Sequence, residues 1–209
     1  MAVLEEISAK LQAGRADDVK TLVQQALDEK VPATDILDKA LIAGMSIIGG
    51  KFKKNEVYVP EVLIAARAMH AGLAVLEPEL AASGVEPLAK VSIGTVKGDL
   101  HDIGKNLVAM LLRGAGFEVE DLKIDVPADK FVESVQSGSQ LICLSALLTT
   151  TMPQMKTVVE AVKEAGLDVP VMVGGAPVTQ GFADEIGADG YAADAASAVD
   201  VAKELLKLG

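Results

Sequence analysis

The chain has 209 residues, half of them apolar and only 3% aromatic, and carries a net charge of −11. That length suits one large or two small domains, and the acidic balance excludes a dominant basic surface for nucleic acid or an anionic membrane. The single cysteine, Cys143, rules out an intrachain disulfide framework, and its setting in Leu141-Ile142-Cys143-Leu144 reads as a buried structural thiol. The N-terminus carries acidic residues and no signal-like apolar segment, and no apolar run reads as a membrane span. A cytoplasmic protein is expected, with neither nucleic acid nor membrane as partner.

Residues 1–84 read as helix after helix. Val3, Leu4, Ile7 and Leu11 recur at helical spacing, as do Val19, Leu22, Val23, Ala26 and Leu27. A third helix is predicted from Thr34 to Lys53, and a fourth from Pro60, a favoured first-turn residue, through Leu76. Short connections between amphipathic helices imply a small antiparallel four-helix bundle. A linker is expected at Ser83-Gly84-Val85-Glu86-Pro87. Over 89–209 the pattern changes to strand-length apolar runs alternating with helices. The strands are predicted at Val91–Val96, Phe117–Leu122, Leu141–Ala146, Val169–Val173 and Gly190–Ala192. The helices are predicted at Ile103–Arg113, Ala128–Gln136, Pro153–Ala165, Thr179–Ile186 and Ala196–Leu208. The expected fold class is therefore α/β, a doubly wound parallel five-stranded sheet of flavodoxin or Rossmann type, whose ligands bind at the carboxyl ends of the strands.

The first strand runs into Gly98-Asp99-Leu100-His101-Asp102-Ile103-Gly104, at that rim. The spacing is neither a dinucleotide fingerprint nor a P-loop. Only two histidines occur in the chain. His70 reads as an ordinary helix residue, whereas His101 has Asp99 two residues before it. Neutral imidazole is a good transition-metal ligand, and a carboxylate on its other ring nitrogen fixes tautomer and orientation. The same residues also read as a capped helix start with a surface histidine.

Asp99-x-His101-x-x-Gly104 resembles the cobalamin-binding signature of the methionine synthase and methyltransferase corrinoid family. Ser145-Ala146-Leu147, at the end of the third strand, resembles its second element, and Gly174-Gly175, at the end of the fourth, its third. The helical half is similar to the family's cap bundle. The resemblance implies a cobalamin cofactor, methylcobalamin in the loaded form, bound base-off with His101 as the lower cobalt ligand. It implies a hydrogen-bonded relay from His101 through Asp99 to Thr151, where a serine is usual. Gly98, Leu100, Asp102, Ile103 and Gly104 would contact the cofactor, Ser145, Leu147 and Thr149 its tail or the corrin edge. Gly174 and Gly175 would let the tail pass close to backbone, and Ala195 would line the end of its pocket. Phe52 and Val59 match positions that cap the upper cobalt face.

The function so implied is methyl carriage, with His101 bound in the methyl form and released in the reduced form. Two small domains leave no room for a donor or folate domain, so the chain is expected to be non-catalytic by itself. Its expected partners are a substrate:corrinoid methyltransferase, a methylcorrinoid:tetrahydrofolate methyltransferase and a reductive activator, with a mobile linker at Ser83–Pro87 letting the bundle move. A cobalamin-responsive regulator shares both halves but would carry a DNA-binding segment, and no basic helix-turn-helix stretch is seen.

Overall fold

A computed structural model describes residues 2–83 and 86–208. Gly84 and Val85, the centre of the expected linker, lie outside the described residues. The chain divides into two compact units, Met1–Glu86 with Gly114–Gly116, and Pro87–Arg113 with Phe117–Gly209.

The first unit is helical: α1 (Ala2–Gln12), α2 (Ala16–Asp28), α3 (Ala33–Ile36), a π-helical segment (Leu37–Ile42), α4 (Ala43–Lys53) and α5 (Val59–Ser83). The third predicted helix is thus present, but its Leu37–Ile42 portion winds as a π-helix, which apolar periodicity does not announce. Of the apolar positions at helical spacing, Ile7, Leu11, Val19, Val23, Ala40, Leu41, Met45 and Ile48 are buried, Val3, Leu4, Leu22 and Leu27 are half-buried, and Leu63 and Ile64 on the fourth helix are exposed. Over Val59–Leu80, α5 is long and apolar enough to cross a membrane, a stretch the sequence reading passed over. In the unit this helix packs on α2 and buries Val62, Ala65, Ala66, Met69 and Leu76.

The second unit is a five-stranded sheet, all of whose strand pairs are parallel, in the order β2-β1-β3-β4-β5. The strands are β1 (Lys90–Val96), β2 (Glu118–Val126), β3 (Leu141–Ser145), β4 (Val171–Gly174) and β5 (Gly190–Ala192). Between and after them come α6 (Ile103–Gly114), α7 (Ala128–Gln136), α8 (Pro153–Glu164), α9 (Gln180–Ile186) and α10 (Ala195–Leu205). The predicted α/β fold is therefore the observed one. Central parallel strands are covered on both faces, so they read as mainly apolar runs, broken in β1 only by the buried Ser92 and Thr95. Val91, Ile93, Val96, Ile142, Leu144, Val171 and Val173 are all buried. The acid-rich strand β2 lies at the sheet edge and is half-exposed.

The chain passes from β1 outward to β2 and then returns to β3 on the other side of β1. That reversal opens a crevice between the loops after β1 and β3, the place where an open parallel sheet binds ligands. Residues 97–102 fill the first loop and residues 146–152 the second.

Candidate functional site

Asp99 organises this crevice. It is fully buried, and both carboxylate oxygens are engaged. Oδ1 lies 2.7 Å from Nδ1 of His101 and accepts the His101 backbone N–H at 3.1 Å. Oδ2 accepts the Thr151 hydroxyl at 2.7 Å and the backbone N–H groups of Leu147 and Leu148 at 2.8 and 3.3 Å. The imidazole is half-exposed. With Nδ1 against the carboxylate, Nε2 is the nitrogen left to coordinate. The Thr95 hydroxyl donates to the His101 carbonyl at 2.8 Å, tying the loop back to β1.

The structure therefore brings together His101, Asp99, Thr151 and Leu147. Leu147 takes part through its main chain. Ser145 is half-buried at the end of β3, where it pairs in register with Thr95 and Gly174. Thr149 is exposed in the turn before α8, and Ala195 begins α10 beside the capping residue Asp194. Neither joins the Asp99 network. Phe52, half-buried near the end of α4, and Val59, at the start of α5, belong to the helical unit.

Gly175, which follows β4, has a reason within the fold itself. Gly175 has φ +137°, and a Cβ there would lie 1.9 Å from the Ala146 carbonyl oxygen. Gly175→Ala is expected to destabilise the protein by about 1–3 kcal/mol from backbone strain alone, before any clash is counted. Thermal unfolding of the cofactor-free protein measures this, and an unchanged midpoint would contradict it.

A model of the B12-binding domain matches residues 89–200, and a second B12-binding domain model matches residues 3–77. A corrinoid protein of Desulfitobacterium hafniense is 42% identical over 99% of this chain and 98% of its own. A dimethylamine corrinoid protein of Methanosarcina acetivorans is 45% identical over 98% of this chain and 96% of its own.

The chain belongs to the corrinoid proteins of methyltransferase systems.

Among solved structures, the methanol:cobalamin methyltransferase complex MtaBC from Methanosarcina barkeri resembles this corrinoid protein with a TM-score of 0.90 at 31% identity. That match covers all of this chain and 81% of the other. The crevice fits a corrinoid on its own terms. Among the described residues no group of three or more His, Cys, Asp or Glu could hold a bare metal ion. One oriented imidazole is enough for a metal whose remaining ligands arrive in a macrocycle. Around it this corrinoid protein exposes Leu100 at 67%, Ile103 at 80%, Leu147 at 43% and Leu148 at 41%, an apolar collar suited to a flat, largely apolar ring.

Sequence reasoning missed two features. Asp125 grips the His101 loop from β2, and Lys105 is buried against Asp121. Nothing in the local sequence marks either residue, because both act through contacts between separate strands and helices.

Proposed function

We propose that this protein is a methyl carrier that holds cobalamin base-off, with His101 as the lower axial ligand. The observation that carries the reading is the buried Asp99 carboxylate set 2.7 Å from Nδ1 of a half-exposed His101. A carboxylate on one ring nitrogen orients the other and raises its basicity toward a metal. When bound, the corrinoid supplies a cobalt that accepts and gives up a methyl group.

The chain supplies the rest. Asp99 aims the His101 ring, while Thr151 and the Leu147 and Leu148 amides hold the second carboxylate oxygen still. Leu100, Ile103, Leu147 and Leu148 keep water from the lower face. Gly98, Asp102 and Gly104 would contact the cofactor, Ser145 and Thr149 its tail or the corrin edge, Gly174, Gly175 and Ala195 the tail, and Phe52 and Val59 match family positions that cap the upper cobalt face. Residues 1–84 are the cap domain and 89–209 the cofactor domain.

The carrier would take methyl from a substrate:corrinoid methyltransferase and pass it to a second enzyme, with tetrahydrofolate as the acceptor. A reductive activator would return oxidised cofactor to the cycle. Methylamines are the first donors to test, since a dimethylamine corrinoid protein is among its relatives. His101→Ala, reconstituted with methylcobalamin, is expected to show an absorption spectrum shifted toward that of the form lacking a lower nitrogen ligand. An unchanged spectrum would remove His101 as the ligand.

A further inference from the structure

The His101 loop is gripped from the neighbouring strand by one residue outside the signature. Asp125, near the end of β2, accepts the Gly98 N–H on its carboxylate at 2.6 Å, and its own N–H donates to the Asp99 carbonyl at 3.0 Å. Two consecutive residues of the loop are thus held through their main chain by a single residue. The grip depends on a local irregularity of the sheet. Ile93 pairs with Asp121, Gly94 with Lys123 and Val96 with Val126, so β2 carries two extra residues against β1 over this stretch. Bulges of this kind turn a strand and re-aim its groups. The cost is visible in the backbone, since Lys123 and Asp125 both adopt left-handed conformations, at φ +76° and +53°. Such conformations persist where the surroundings demand them, and Asp tolerates them better than most residues.

We infer that Asp125 is a positioning residue for the lower ligand: it holds the Gly98 N–H and the Asp99 carbonyl and so sets how fully His101 is held in its coordinating position. Asp99 aims the ring, and Asp125 keeps Asp99 in place from the main-chain side. The inference rests on the proposal that His101 binds cobalt.

The test compares Asp125→Asn, Asp125→Gly and wild type, each loaded with cobalamin in its paramagnetic reduced state. Histidine labelled with heavy nitrogen assigns any nitrogen splitting in the electron paramagnetic resonance spectrum to a histidine and not to the cofactor's own base, and its loss in His101→Ala assigns it to His101. Asparagine keeps an acceptor oxygen and tolerates the left-handed backbone. Glycine keeps that backbone and its N–H but removes the carboxylate.

Asn is expected to hold the wild-type ratio of histidine-bound to histidine-free cobalt. Gly is expected to lower it roughly tenfold, the scale of one charge-assisted hydrogen bond. In the cofactor-free protein, Gly should also speed hydrogen exchange at the Gly98 amide while circular dichroism stays unchanged. Wild-type splitting that Asp125→Gly leaves unmoved, with Gly98 exchange also unmoved, overturns the role of Asp125 alone. A wild-type spectrum without histidine splitting overturns the His101 assignment and this role together. If Asp125→Gly does not fold, Asp125→Ala decides by the same spectrum and the same criterion.

Discussion

Asp99→Ala is expected to cost the cofactor-free protein about 3–5 kcal/mol of unfolding free energy, the range for removing one partner of a buried charged network. The side chain has no exposed surface, and its two oxygens satisfy the Thr151 hydroxyl, the Leu147, Leu148 and His101 amides, and Nδ1 of His101. Burial alone would raise its pKa. The hydrogen bonds from Thr151, Leu147 and His101 outweigh burial and hold the carboxyl well below the usual carboxylate range. Alanine leaves the Leu147, Leu148 and His101 groups without this acceptor, at about 1–3 kcal/mol for each buried orphan, while the Thr151 hydroxyl still has the Leu148 carbonyl at 2.9 Å.

Asparagine is not a mild replacement here. It offers one acceptor oxygen, whereas both sides of the Asp99 carboxylate face donors. Its amide NH2 must therefore point either at the Leu147 N–H and Thr151 or at the His101 N–H. Asp99→Asn is accordingly expected to lie much nearer Asp99→Ala than wild type in chemical denaturation. A wild-type midpoint for Asp99→Asn would show that one face of the network carries no weight.

The parallel sheet was legible because its central strands are buried and largely apolar, as in Leu141–Leu144 and in Val91–Val96, where only Ser92 and Thr95 are polar. The edge was less so. Strand β2 runs on through Lys123 and Asp125 to Val126, four residues beyond the predicted Leu122, because pairing with β1 overrides the polar sequence. The π-helical segment at Leu37–Ile42 was equally invisible, since its residues keep a helical apolar pattern. In the site, the Asp99–His101 pair was readable from a two-residue spacing. Thr151 was reachable only through the family resemblance, standing 52 positions from Asp99. The Leu147 and Leu148 contributions come from main-chain N–H groups, which carry no side-chain signature. Gly175 was expected to make room for a ligand, yet its Cβ would first strike the protein's own Ala146 carbonyl.

The second large effect concerns the pair Lys105 and Asp121. The Lys105 side chain is 1% exposed, and its Nζ lies 2.6 Å from Asp121 Oδ1 and 2.6 Å from Asn106 Oδ1. Lys105 follows directly on the signature's Gly104, and Asp121 stands on β2 just before the bulge that presents Asp125. The pair thus joins the helix after the His101 loop to the strand that grips it. Burial pushes the Asp121 carboxyl upward, but the hydrogen bond and charge of Lys105, with the Lys123 amide and ammonium, lower it to about 2.

A carboxyl whose pKa is lower folded than unfolded favours the folded state wherever it is ionised. That contribution is complete above the ordinary carboxylate pKa near 4, and it is lost as pH falls from about 4 toward 2. Thermal unfolding followed across this window should show wild type losing more stability than Asp121→Asn, which has no proton to gain. At neutral pH, Asp121→Asn should cost about 3–5 kcal/mol, because it strands a buried ammonium.

Replacing both partners with apolar residues, Lys105→Met with Asp121→Leu, removes the charge and the desolvation together. It should recover most of that loss. If the double variant instead stays as unstable as Asp121→Asn, the pair does more than balance charge. The Lys123 contacts to Asp121 would then be what holds the bulged strand in shape.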